Sequence, residues 1–137
     1  MTVIRALAEI VLMVDDIERS LAFYRDTLGL EVFSPPELAA KFLLVGERGN
    51  GVPQQIVLSE RPPGRSRAAT RKSEADVHHI GLEVTPQDFD GLRGRLEADG
   101  FEVRSGEHPF MEVEAFYIND PDGNEVEIVT ARGGSPA

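Results

Sequence analysis

An α+β fold made of two β-α-β-β-β modules is predicted by three features of this 137-residue sequence. The chain repeats itself. Each copy passes from an alternating apolar pattern to a helical one and back, and each helix is closed by a glycine. "EIVLMVDDIERSLAFYRDTLGLEV" (9–32) and "HIGLEVTPQDFDGLRGRLEADGFEV" (79–103) follow one plan: apolar strand, helix start, amphipathic helix, glycine, strand opening. Glu9 falls opposite His79 and Val14 opposite Val84, an offset of 70. "GLEV" at 29–32 falls opposite "GFEV" at 100–103, an offset of 71, so the second helix is one residue longer.

Taken in order, the first strand (9–14) turns Ile10, Leu12 and Val14 toward a helix layer and Glu9, Val11 and Met13 away from it. Asp15 with Glu18 has the spacing of a capping box, Ile17, Leu21, Tyr24 and Leu28 form a helical stripe, and Gly29 suits the left-handed position after a helix. Three strand candidates follow, "LEVFS", "KFLLV" and "QQIVLS". In the second copy Ile80, Leu82 and Val84 face the helix and His79, Gly81 and Glu83 face away. Thr85 caps with Pro86 at the first helical position, and Phe89, Leu92 and Leu96 form the stripe before Gly100. Gly91 and Gly94 weaken this helix, so packing must hold it. "FEVRS", "EAFYIN" and "NEVEIVT" complete the copy, with "DPDGN" as a turn, and "QIV" at 55–57 echoes "EIV" at 127–129. The whole chain, 1–137, reads as one domain: a first module at 6–60, a Pro-, Arg- and Ser-rich linker at 61–76, a second module at 77–131 and a tail at 132–137.

Composition narrows the function. A hydrophobic content of 41% with 28% charged residues is globular. The formal charge of −10, from 24 acidic and 14 basic residues, argues against nucleic acid or an anionic membrane as partner. With no cysteine, thiolate metal sites, disulfides and Cys nucleophiles are excluded. The N-terminal apolar stretch is broken by Arg5 and Glu9, so it reads as neither a signal nor a span, and a cytoplasmic location is expected.

If the two modules combine their sheets about a pseudo-twofold axis, their non-helix faces line one concavity. The repeat then gathers Glu9, His79, Gln55 and Glu127 there: one imidazole, two carboxylates and one amide. Two buried carboxylates repel unless one is protonated or a cation lies between them, and this donor set suits Mn, Fe, Co, Ni, Zn or Mg. Each residue also has a plainer reading: a strand-start histidine, solvent-facing glutamates on strands, a polar pocket amide. Alternation sends His78 to the opposite side from His79 and away from any ligand role. His108, in "GEHPF", reads as a loop residue or a rim acid/base, and alternation alone does not say whether Phe116 or Tyr117 lines the cavity.

"VDDIERSLAFYRDTLGL" and "INDPDGNEVEIV" resemble the vicinal-oxygen-chelate superfamily, the group of glyoxalase I, extradiol dioxygenases, methylmalonyl-CoA epimerase, fosfomycin-resistance enzymes and bleomycin-binding proteins, over roughly residues 6–131. The resemblance implies an eight-stranded, incompletely closed mixed sheet around a cup-shaped cavity with the helices outside. It also implies metal ligands on the first and last strand of each module. His79 matches the histidine that opens the second module and Glu127 its closing glutamate. Gln55 stands near the first module's closing position, which a two-residue slip would give to Val57. Glu9 occupies the opening position, where histidine is usual. One divalent ion (Ni, Co, Zn, Mn, Fe or Mg) is implied, with Glu127 and Glu9 as general base and acid on opposite faces of a small substrate with vicinal oxygens. Proton transfer next to a carbonyl follows, as in an isomerase, epimerase or lyase, together with a homodimer whose modules pair within a chain or between chains. Ring-cleaving dioxygenase chemistry is less favoured because Glu9 breaks the usual set of two histidines and a carboxylate. The competing reading is a metal-free protein that sequesters a cationic drug of bleomycin type.

Overall fold

Burial along the first strand, β1 (Glu9–Val14), follows the alternation: Leu12 and Val14 are buried, Val11 and Met13 exposed. The structure, a computed structural model, describes residues 7–47, 52–62 and 77–132. Residue 6, part of the turn at 48–51, the expected linker beyond Pro62 and the tail beyond Arg132 lie outside the described residues. The described chain forms two units, one on each side of the segment 63–76.

In the first unit, β1 leads into α1 (Ile17–Leu21), which runs on as a π-helical segment over Ala22–Thr27. The helix is capped by Asp16, one residue later than the capping-box spacing suggests: its carboxylate accepts from the Arg19 amide at 3.2 Å. Asp15 instead forms an ion pair with Arg61 at 2.6 Å, beside the bond from the Arg61 amide to the Val14 carbonyl that closes the end of the ladder. The π segment changes which residues face inward. Its wider turn, seen in the bond from the Leu28 amide to the Phe23 carbonyl, buries Phe23 together with Tyr24. The sequence stripe contained only Tyr24 of that pair. Strands β2 (Glu31–Val32), β3 (Lys41–Leu44) and β4 (Gln55–Glu60) complete a mixed sheet of order β1-β4-β3-β2, with β1 and β4 parallel.

The second unit repeats the plan with β5 (Ile80–Glu83), α2 (Pro86–Ala98), β6 (Arg104–Gly106), β7 (Val113–Asn119) and β8 (Glu125–Ala131), in the order β5-β8-β7-β6. Pro86 starts α2 after Thr85, but the Thr85 hydroxyl donates to the Asp88 carboxylate at 2.9 Å rather than accepting from the backbone. The end of α2 is a Schellman motif: Gly100 has φ +93°, and the Phe101 amide reaches back to the Leu96 carbonyl at 3.0 Å. β6 begins at Arg104, not at Phe101, because its ladder starts where Arg104 pairs with Tyr117.

α2 is held by packing. Phe89 and Leu96 are buried, and the Phe89 ring lies 5.2 Å from that of Phe116, the fully buried centre of β7. A fully buried side chain of this kind contributes about 1.5–3 kcal/mol, against about 1 kcal/mol for a helix cap, so the apolar alternation decides the fold and the caps only trim it. The α+β class and its two β-α-β-β-β modules are as the sequence predicts.

Candidate metal centre

The second sheet gathers a row of polar groups on its non-helix face. Phe116 points to α2, which leaves Tyr117 on the opposite face and settles which of the two belongs with the polar residues. Tyr117 pairs with Glu127 across β7 and β8, and its hydroxyl donates to Glu127 Oε2 at 2.8 Å. Glu127 Oε1 lies 3.8 Å from His79 Nε2, and the His79 ring sits edge-on to the Tyr117 ring, with centroids 5.7 Å apart. His79 and Glu127, which alternation, the repeat and the resemblance all place on the non-helix face, thus lie together, with Tyr117 as the member that the sequence left undecided.

Local structure explains why the three meet. The turn between β7 and β8 is organised by Asp120, which is buried. Its carboxylate accepts from the Asp122 amide (2.9 Å), the Asn124 amide (2.7 Å) and the Asn124 side chain (2.9 Å). That turn fixes Asn119 opposite Glu125, and Tyr117 opposite Glu127 follows two residues further along each strand. Two glycines make room. A Cβ on Gly106 would lie 2.0 Å from Tyr117 Cε2, so the ring occupies the space a side chain would take, and a Cβ on Gly81 would lie 3.0 Å from Glu127 Oε1.

The neighbouring row carries Arg104, whose guanidinium donates to Asn119 at 2.9 Å and to Glu125 at 3.3 Å. The Tyr117 hydroxyl is pushed up to about 12, first by burial and then by its bond to Glu127 and the charges of Glu127 and Glu125. It is therefore a standing donor at any ordinary pH.

His78 departs from the sequence expectation. Alternation was to send it to the opposite side from His79, yet the two Nδ1 atoms are 2.9 Å apart and both rings lie by Glu125, with ligand atoms of the three residues within 4.8 Å of one another. The reason is that β5 begins only at Ile80, so the ladder does not yet dictate side-chain direction at 78 and 79. His108 serves its own loop: its Nδ1 accepts from the amides of Phe110 (3.1 Å) and Met111 (2.9 Å).

In the first sheet Glu9 stands directly opposite Gln55 in the parallel register. Both sheets pair first and last strands in the same way, Glu9 with Gln55 and Ile80 with Val126, so each residue faces the one 46 positions on. With Glu9 matched to His79, Gln55 corresponds to Glu125 and Val57 to Glu127. The register thus gives the two-residue slip, not the "QIV"/"EIV" echo. Two pairs result: Glu9 beside Gln55 in the first unit, and His79 beside Glu127 in the second.

The donor chemistry fits a divalent ion at the second pair. With bonds of about 2.0–2.2 Å, two donors on one ion lie about 3–4 Å apart, and His79 Nε2 and Glu127 Oε1 are 3.8 Å apart. One imidazole with carboxylates suits Zn, Ni, Co, Fe or Mn.

The sequence model of the Glyoxalase/Bleomycin resistance protein/Dioxygenase superfamily matches residues 6–128. The chain belongs to that superfamily. It is 27% identical over 122 residues to catechol-2,3-dioxygenase of Bacillus subtilis (strain 168), covering 88% of this chain but only 40% of the relative's length. It is 27% identical over 125 residues to glutathione transferase FosA of Serratia marcescens, covering 91% of this chain and 80% of the relative. Among solved structures, lactoylglutathione lyase from Agrobacterium tumefaciens is 26% identical with a TM-score of 0.64, covering 94% of this chain and 96% of that one. This superfamily member has, among the described residues, no helix long and apolar enough to cross a membrane.

Proposed function

We propose that this superfamily member is a metal-dependent enzyme of the glyoxalase type. It chelates a small substrate with vicinal oxygens and catalyses proton transfer next to a carbonyl, as an isomerase, epimerase or lyase. The observation that carries the reading is the contact of His79 Nε2 with Glu127 Oε1 at 3.8 Å, backed by Tyr117 at 2.8 Å on the other carboxylate oxygen. In this reading His79 and Glu127 hold the ion. When bound, the ion supplies Lewis acidity to the substrate oxygens.

The chain's own residues move the proton. The Tyr117 hydroxyl donates to Glu127 Oε2, which leaves Oε1, on the side of His79 Nε2, as the oxygen that would hold an ion. Glu127 accepts the proton next to the carbonyl and returns it to the neighbouring carbon. The functional unit in this reading is a homodimer.

Calorimetric titration of chelator-treated protein with Ni, Co, Mn, Fe and Zn tests the proposal. The expected result is one ion per chain, lost in His79→Ala and in Glu127→Ala. Wild-type protein that takes up none of these metals would sink it.

A metal-free binder is the second reading, and one observation favours it. Val57 takes the place in the first sheet that Glu127 has in the second, and it pairs with the exposed Val11. A rise in melting temperature with a cationic glycopeptide such as bleomycin, and none with metals, would select that reading.

A further inference from the structure

We propose that His78 is the positioning residue for His79: it accepts the hydrogen that His79 carries on Nδ1 and so leaves the His79 Nε2 lone pair facing Glu127. The proposal rests on the metal-centre reading above and says how its imidazole is held. The two Nδ1 atoms are 2.9 Å apart, a hydrogen-bond distance at which one ring must donate and the other accept. Two hydrogens would collide there and two lone pairs would repel. The His79 ring has its other nitrogen, Nε2, 3.8 Å from Glu127 Oε1.

A nitrogen that binds an ion must present a lone pair, which puts the His79 hydrogen on Nδ1. His79 is then the donor, His78 the acceptor, and the hydrogen of His78 lies on its Nε2. This one assignment satisfies both contacts at once. The edge-on packing of His79 against Tyr117, at 5.7 Å and 87°, holds the ring from another side. Outer partners of this kind commonly fix the tautomer of a metal-bound histidine. Adjacent residues can do it here because 78 and 79 precede the β5 ladder.

The rival arrangement has His78 itself ligate an ion with His79 and Glu125, whose ligand atoms come within 4.8 Å of one another. It does not involve Glu127, whose Oε1 lies 3.8 Å from His79 Nε2.

Long-range ¹H–¹⁵N correlation on the metal-free full chain, at about pH 8 where free imidazole is neutral, reads the tautomers directly. His78→Ala and His108→Ala assign the three histidines. His79 is expected to carry its hydrogen on Nδ1 and His78 on Nε2, and His79 should lose that preference in His78→Ala. Ni affinity by calorimetry should fall about 10- to 100-fold in His78→Ala and recover in His78→Asn, whose amide oxygen can accept the same hydrogen. A wild-type His79 protonated on Nε2, or unchanged Ni affinity in His78→Ala, overturns the proposal. So does an equal loss in His78→Ala, His78→Asn and Glu125→Gln, which would make His78 a ligand. Unchanged Ni binding in His79→Ala overturns the underlying metal-centre reading, a result distinct from a failure confined to His78.

Discussion

Tyr117 shows how far a single side chain can be read from sequence. Its strand was legible, but its face was not: "EAFYIN" puts aromatic residues on both sides, and only the packing of Phe116 on Phe89 assigns Tyr117 to the polar row. The cross-strand register that gives it Glu127 was within reach, by counting outward from the "DPDGN" turn. Its raised pKa, about 12 against an ordinary value near 10, has a definite sign. Folding favours the protonated phenol, so the stability it contributes is complete below about pH 10 and is lost as pH rises through about 12. In denaturant titrations of the metal-free protein, the advantage of the wild type over Tyr117→Phe should therefore shrink between those pH values. The alkaline absorbance change of tyrosinate should lose the step near pH 12 in the same variant. An advantage that grows with pH would contradict the hydrogen-bonded arrangement.

Elements were legible wherever the ladder or a helix period acts, and illegible where it stops. The alternation of Leu12 and Val14 against Val11 and Met13 held because both neighbours are inside a strand. The same rule failed at His78, two residues before β5 begins. The shift of the first cap to Asp16 and the π segment reflect a choice between local hydrogen-bond patterns worth about 1 kcal/mol each, too small for periodicity to resolve. β6 depends on a close approach that sequence cannot show, and Gly106 tests it. In Gly106→Ala the new Cβ would fall on the Tyr117 ring, so the ring must swing off Glu127. A loss of about 1–3 kcal/mol in urea unfolding is expected, together with weaker metal binding. The turn before β8 makes a second prediction. Asp120→Ala removes a buried acceptor of three hydrogen bonds and should cost about 2–3 kcal/mol. Wild-type stability in either variant would show that β6 or the turn does not hold the row as described.

At the scale of the whole chain, duplication was the most legible property, since matching patterns 70 residues apart need no knowledge of contacts. The first module's closing position was the least legible, because a two-residue slip preserves every alternation and only the ladder separates Gln55 from Val57. The repeat has therefore kept its backbone while its two copies differ in the residues they present. For the intact protein, a divalent ion at about 100 times its dissociation constant should add about 2.7 kcal/mol of stability. For a chain of this length that is a rise in melting temperature on the order of 10 °C. The rise should be absent in His79→Ala and Glu127→Ala; an equal rise in either would place the ion elsewhere.

Strand β8 lies inside its sheet, bonded to β5 on one side and β7 on the other. Glu127 is thus anchored in main chain whose amides should be among the slowest of the second unit to exchange with solvent. The entropy of ordering that carboxylate is met by the ladder before any ion arrives. A chelator should therefore strip the metal without melting the sheet, in contrast to small zinc domains whose fold exists only when loaded.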